Sequence, residues 1–214
     1  ERKRVAVLLL VIALTIPAEI AYPMVWSIGI LWVDQYVNLA TSLGAVPSSW
    51  FASMDSIGAI LAAPALIAFW AWQAKRGSEP SSVTKVGIGT SIIAIAALLF
   101  AYGNLGLSEP DSVGAGWAIA GWLIMGLAWM YYWPTTLAIV SRAAPAGMGS
   151  FLMGVAFLSP FVGHVLAGWV GSYFDQMSPS VFWAMDAAIA LVGGTLILLF
   201  RKRLQAALDP DLSA

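Results

Sequence analysis

The chain has 214 residues, of which 60% are hydrophobic and only 10% are charged, whereas a soluble domain carries about 25% charged residues. Such a composition excludes a water-soluble globular protein, which would have to expose far more apolar surface than monomers usually tolerate. The net charge is −1 with no basic stripe, which gives no support to nucleic-acid binding, and the absence of cysteine excludes disulfides and thiolate metal sites.

The first half of the chain contains three apolar runs long enough to cross about 30 Å of hydrocarbon as helices. The first predicted span covers residues 5–33 and contains Pro17 and Pro23, which we expect to kink the helix and free backbone carbonyls. The second covers residues 47–72 and the third 83–102, with polar, Gly- and Pro-containing connections between them.

Three further spans follow in the second half, at residues 115–140, 148–173 and 181–200. The sequence therefore predicts an all-α integral membrane protein of six transmembrane helices. We expect residues 1–204 to form one bundle and residues 205–214 to form a cytoplasmic tail.

All lysines and arginines fall on one side of the predicted bilayer, because six crossings return every cation to the same face. The positive-inside rule then predicts that both termini are cytoplasmic, as in a bacterial inner-membrane protein. The cations are Arg2, Lys3, Arg4, Lys75, Arg76, Lys85, Arg142, Arg201, Lys202 and Arg203. The opposite face carries Asp34, Glu109, Asp111 and Asp175.

Small residues and tryptophans indicate how the spans pack. Gly163, Ala167 and Gly171 recur every four residues on the fifth span and predict a close helix–helix contact. Tryptophans near span ends are typical of interfacial anchors. Those tryptophans are Trp26, Trp32, Trp50, Trp117 and Trp122.

Four ionisable side chains lie within the spans, where each is costly and therefore a candidate functional group. Counted from the helix ends, Glu19, Asp55 and His164 fall near or just outside the midplane, where transporters commonly hold substrate and coupling ion. Asp186 is only about five residues into the sixth span, so we expect it to reach the outer interface.

Helical spacing places Glu19, Tyr22, Trp26 and Gly29 on one face of the first span. This stripe suits a water-filled cavity, although a protonated structural glutamate would give the same pattern. His164 fits either a hydrogen-bonded interior imidazole or a proton relay. Without a second His or any Cys, neither a metal nor a cofactor is predicted, and nothing marks an enzyme nucleophile.

Three segments resemble the C-terminal half of the proton-coupled oligopeptide transporters, a branch of the major facilitator superfamily. Residues 46–55 read Val-Pro-Ser-Ser-Trp-Phe-Ala-Ser-Met-Asp and, followed by Ala63-Pro64, resemble the eighth helix of that family. Pro134-Thr135-Thr136-Leu137 with Ala144-Pro145 resembles its tenth helix. Residues 153–158 and 163–168 resemble its eleventh helix.

The resemblance implies a C-terminal six-helix bundle of the major facilitator type. It also implies proton-coupled uptake of di- and tripeptides or a related small solute, with an N-terminal six-helix bundle or a second copy as partner. Asp55 stands where the family has a substrate-contacting Asn, and His164 replaces the Asn of the eleventh helix. Ala128-Trp129 aligns with the tenth-helix Gly-Glu that engages the peptide amino end, so that carboxylate is missing. The seventh-helix Glu-Gln pair aligns near Pro23-Met24, with Glu19 about one turn away as a substitute.

The candidate substrate and proton-coupling residues are Glu19, Tyr22, Trp26, Asp55, Trp129, Tyr132 and His164. An alternative function stays open at this stage. A transporter-derived bundle without its pocket carboxylate fits a structural or assembly subunit of a larger membrane complex. The aromatic run of residues 129–133 suits either a filled pocket or an aromatic wall around a substrate.

Overall fold

The computed structural model describes residues 1–42, 44–106 and 112–208. Within them, eight α-helices are joined by short 3-10 helices and one two-stranded hairpin. The helices are α1 (Arg2–Ala21), α2 (Ile28–Tyr36), α3 (Ala52–Lys75), α4 (Ser82–Gly103), α5 (Ala115–Ala143), α6 (Gly149–Ala156), α7 (Leu158–Gly171) and α8 (Pro179–Leu208). The hairpin pairs β1 (Ala40–Thr41) with β2 (Gly44–Ala45).

Six helical segments are long and apolar enough to cross a membrane, which confirms the predicted number of spans. The first segment is Arg2–Trp26, formed by α1 and the 3-10 helix that follows it, and the fifth, Gly149–Gln176, contains α6 and α7. Helix α8 continues through residues 205–208 of the predicted tail. The predicted outer carboxylates Glu109 and Asp111 and residues 209–214 lie outside the described residues.

Within the bundle, α4 packs against both α8 and α5. Helix α8 also packs against α1, which in turn packs against α7, while α3 packs against α5. Each helix in the order α3, α5, α4, α8, α1 and α7 therefore packs against the next one. Helix α5 also contacts α6.

Prolines break two of the spans. Pro23 cannot donate the backbone hydrogen bond to Glu19, four residues earlier, and the chain tightens into a 3-10 helix (Tyr22–Trp26) before α2 begins. Pro160 likewise cannot donate to Ala156, where α6 ends. The expected disturbance of the first span is therefore present at Pro23, whereas Pro17 lies inside the continuous helix α1.

A tryptophan cluster, made of Trp32, Phe100, Trp122 and Trp183, fills the end of the bundle opposite the cations. Ring centroids of Trp32 and Trp122 lie 6.4 Å apart in a stacked arrangement, and Phe100 lies 4.9 Å from both Trp122 and Trp183. Trp32 also donates from Nε1 to Asn104 Oδ1 at 3.1 Å. The cluster joins α2, α4, α5 and α8.

The interfacial role predicted for Trp32 and Trp122 is wrong, because both side chains are 0% exposed. The sequence could not distinguish an interfacial anchor from a buried core side chain, because a tryptophan near a span end can be either. Trp26, Trp50 and Trp117 do expose their side chains.

Two glycines allow α3 and α5 to approach closely. A Cβ on Gly58 would meet the backbone of Leu123, and a Cβ on Gly126 would meet the Asp55 carbonyl and lie 2.6 Å from Ala59 N. Such contacts with backbone cannot be relieved by a rotamer change. This contact also positions Asp55 at the start of α3.

We expect Gly126→Ala to lower the free energy of unfolding by about 1–3 kcal/mol, because the added methyl group forces α3 and α5 apart. Thermal unfolding in detergent, followed by circular dichroism, measures the change. Gly116→Ala on the same helix is the matched control, since nothing lies within 4 Å of a Cβ there. An equal response of the two variants would contradict this account of the α3–α5 contact.

The cations gather at one end of the bundle, here called the basic end. Arg4, Lys85 and Arg142 line one cavity there, although they come from α1, α4 and α5. At the opposite end, the hairpin lies close to a parallel bridge between Val37 and Val113. Cations that are distant in the sequence therefore come together in the folded chain.

Candidate functional site

A cavity of about 320 Å³ opens between α1, α5 and the α6–α7 segment. Six of the seven candidate residues line it, whereas Asp55 does not. The six are Glu19, Tyr22, Trp26, Trp129, Tyr132 and His164.

Glu19 is the carboxylate of this cavity and is only 5% exposed. The Tyr132 hydroxyl on α5 donates a hydrogen bond to Glu19 Oε1. On the other side, Gly163 of α7 packs so closely that a Cβ there would collide with the Glu19 side chain and backbone. Glu19 is therefore fixed between α5 and α7. The close packing predicted for the face of Gly163, Ala167 and Gly171 is present.

Asp55 is linked to the cavity through Tyr22. The Tyr22 hydroxyl donates to Asp55 Oδ2 at 2.8 Å, while Oδ1 is buried and has no hydrogen-bond partner among the described residues. The phenol of Tyr22 lines the cavity, so it stands between the Asp55 carboxylate and the open space. Both buried carboxylates thus take one hydrogen bond from a tyrosine.

This pairing fits groups that exchange a proton. An ionised carboxylate only accepts hydrogen bonds, whereas a protonated one also donates. A tyrosine hydroxyl can donate or accept, so each pair can keep its hydrogen bond in both protonation states. Carboxylates in membrane proteins are costly unless paired, and they commonly mark ion or proton pathways.

His164 lies on an exposed face of α7 at the edge of the cavity. Its Nδ1 is 2.6 Å from the Pro160 carbonyl oxygen, which can only accept, so Nδ1 carries a proton and Nε2 is left for other contacts. In this chain the face of His164 is exposed, although the imidazole has the hydrogen bond that the interior interpretation predicted. No group of three or more His, Asp or Glu side chains in the described ranges could hold a metal ion.

The aromatic run on α5 divides between two sides of the helix. Trp129, Tyr132 and Trp133 line the cavity, whereas Tyr131 is buried against Trp70, with ring centroids 5.2 Å apart. Three rings therefore form a wall and leave the space between the helices open. This arrangement favours an aromatic wall over a filled pocket.

The face predicted for the first span holds for Glu19, Tyr22 and Trp26 but not for Gly29. Gly29 is buried on the tryptophan cluster, and a Cβ there would lie 2.9 Å from the Trp122 ring. The 3-10 segment has about three residues per turn instead of 3.6, and the chain breaks again at Ser27. Gly29, which follows the break, consequently faces the tryptophan cluster and not the cavity.

Sequence reasoning missed several lining residues. Phe157 and Pro160 reach the cavity because the fifth span is broken between α6 and α7. The ring centroids of Phe157 and Trp133 lie 5.5 Å apart. Thr15 and Ser159 share a hydrogen bond of 2.9 Å one turn from Glu19, which links α1 to α7. The available signal was Pro160, although a proline inside a span is not sufficient, because Pro64 and Pro134 lie within continuous helices.

Asp186 is not part of the cavity, and the expectation that it reaches the outer interface is wrong. It is 0% exposed, and neither carboxylate oxygen has a hydrogen-bond partner among the described residues. Helix α8 packs against α4 and α1, and Asp186 lies on the packed side with Ala190 and Gly193. Those small residues at helical spacing were the signal that its face is buried.

The sequence profile of the POT family matches residues 1–186, which is most of the chain. The chain belongs to the POT family. A peptide transporter, YePEPT, of Yersinia enterocolitica is 29% identical over 177 residues, which is 79% of this chain and 34% of that protein. The uncharacterized transporter YclF of Bacillus subtilis is 24% identical over 196 residues, 88% of this chain and 39% of its own length.

Solved POT structures show the same fold. A peptide transporter POT in complex with sulfate superposes with a TM-score of 0.88 at 18% identity, over 97% of this chain and 42% of the transporter. A POT family transporter in complex with 5-aminolevulinic acid gives a TM-score of 0.84 at 18% identity, over 95% of this chain and 42% of its own. The resemblance seen in the sequence is therefore confirmed.

The POT family chain spans well under half the length of the relatives that it matches. These relatives are transporters and not enzymes. The six apolar helices and the bacterial POT relatives identify an integral membrane protein.

Proposed function

We propose that this chain is the C-terminal half of a proton-coupled transporter for di- and tripeptides or a closely related small solute. The observation that carries the proposal is Glu19, a buried carboxylate held by Tyr132 at the wall of an open cavity. An ammonium group, such as a peptide amino end, would find there its charge-assisted partner.

The aromatic wall supports the same substrate class. Trp26, Trp129 and Trp133 surround the space next to Glu19, and indole faces attract a cation through their ring quadrupole. Solved POT relatives are described as complexes with alafosfalin and with a thioalcohol-conjugated peptide. Trp129 stands where the family has the glutamate that engages the amino end, so Glu19 takes over that contact in our proposal.

The partner in this proposal is an N-terminal six-helix bundle, on the same or a separate chain, or else a second copy. Alternating access needs two bundles that rock around one site. Exposed apolar side chains beside the cavity, including Trp26, Phe157 and Phe161, are suited to such a partner or to lipid. The cations at the basic end support cytoplasmic termini in a bacterial inner membrane.

The direct test is uptake of labelled dialanine by the complete natural polypeptide reconstituted in liposomes with an alkaline interior. We expect accumulation that a protonophore abolishes and that unlabelled di- and tripeptides inhibit, whereas free alanine does not. A folded protein that takes up no peptide under any gradient would contradict the proposal and favour the structural-subunit alternative.

A further inference from the structure

A second and larger cavity, of about 570 Å³, lies at the basic end, away from the candidate site. Side chains from four helices reach it: Arg4 of α1, Lys85 of α4, Arg142 of α5 and Gln205 of α8. Neither the POT resemblance nor the proposed transport function uses this space.

The cavity has an excess of positive charge. Among the described residues, the cations Arg4, Lys85 and Arg142 line it against one carboxylate, Glu79, so the described lining carries three positive charges minus one negative, or +2. Glu79 pairs with Lys85 at 2.5 Å, and this is the single ion pair among the described residues. The two arginines therefore have no carboxylate partner within the described parts of the chain.

The donors in the cavity are only partly used. Arg142 Nη2 donates to Ser82 Oγ at 2.7 Å, which orients the guanidinium without neutralising it. Arg4 Nε is buried and has no hydrogen-bond partner among the described residues. Lys85 Nζ also lies 4.0 Å from the centroid of the Trp70 ring, which holds its ammonium in place.

We infer that this cavity binds a phosphate-bearing anion, either the headgroup of an anionic phospholipid or free phosphate. Beside the Lys85–Glu79 pair, the two arginines line the same cavity without a carboxylate partner among the described residues, and their mutual repulsion is relieved when an anion binds there. Guanidinium groups match phosphate oxygens geometrically, and basic pockets between transmembrane helices on the cytoplasmic side bind anionic headgroups. The inference does not depend on peptide transport.

Native mass spectrometry of the complete natural polypeptide in detergent tests this inference, with phosphatidylglycerol, phosphatidylcholine and inorganic phosphate as probes. We expect tighter binding of phosphatidylglycerol than of phosphatidylcholine. Arg142→Gln and Lys85→Gln should each weaken that binding about tenfold, the effect of losing one hydrogen bond to a charged group. Lys202→Gln, an exposed cation of the same end that does not line the cavity, is the matched control.

The charge-preserving variants Arg142→Lys and Lys85→Arg should retain most of the binding, which separates a lost charge from a disturbed fold. If phosphatidylglycerol binds at the cavity while inorganic phosphate neither binds nor displaces it, the ligand is a lipid headgroup. If inorganic phosphate binds and the cavity variants weaken it, the ligand is free phosphate. Equal binding of every probe by wild type, cavity variants and Lys202→Gln would overturn the inference.

Discussion

Glu19→Gln is expected to abolish concentrative, proton-driven uptake. The amide still accepts a hydrogen bond from Tyr132, so the cavity keeps its shape, but it can no longer release or take up a proton. A pH gradient of about two units supports at most about 100-fold accumulation for one proton per substrate, because about 1.4 kcal/mol corresponds to a factor of ten. Accumulation by the variant should fall to about onefold, measured as internal labelled dialanine at steady state.

Exchange of labelled for unlabelled substrate without a gradient separates coupling from binding. Glu19→Gln should retain exchange at saturating substrate, but with a higher half-saturation concentration, because its charge-assisted contact with the amino end is lost. Asp34→Asn, which changes an exposed carboxylate outside the cavity, is the matched control and should accumulate substrate normally. Asp55→Asn is the second informative variant, because Asp55 meets the cavity only through Tyr22. If neither Glu19→Gln nor Asp55→Asn reduces accumulation, these carboxylates do not couple protons.

Trp122→Ala is expected to cost about 3–5 kcal/mol in the free energy of unfolding, the range for removing a fully buried aromatic side chain. Trp122 is 0% exposed and contacts the rings of Trp32, Phe100 and Phe51. Its removal leaves a void that the joined helices cannot close without moving. Equilibrium unfolding in mixed detergent micelles, followed by the helical circular dichroism signal, measures the loss.

Trp117→Ala on the same helix provides the comparison for this variant. Trp117 is partly exposed, and its one ring contact among the described residues is Tyr102 at 5.1 Å. Its loss should therefore destabilise the protein much less. A Trp122→Ala protein as stable as the Trp117→Ala protein would show that the tryptophan cluster does not hold the helices together.

The number and type of membrane helices could be predicted because hydrocarbon thickness sets their length, and because six spans place all ten cations on one predicted side. Burial of particular side chains could not be predicted in the same way. Trp32 and Trp122 have the type and position of interfacial anchors but lie in the core. Asp186 lies near a span end and is nevertheless fully buried. In both cases the burial of the side chain depends on which helix packs against it, and spacing along one helix does not identify that packing partner.

The candidate site was more predictable than the packing around it. Glu19 and His164 were placed at similar depth by counting residues, and both line the cavity. The hydrogen bonds from Tyr132 to Glu19 and from Tyr22 to Asp55 join distant parts of the chain, which spacing along one helix cannot reveal. Gly29 was misplaced because the 3-10 segment changes the helical period within the first span.

The break at Ser27 has a mechanical consequence. On one side of it, α2 is clamped by Trp32 to three other helices, whereas on the other side α1 carries Glu19 along the cavity wall. A continuous helix would transmit any tilt of α1 directly to that clamp. Because the break separates the two helices, the orientation of α1 is set by its packing against α7 and α8 and not by that clamp.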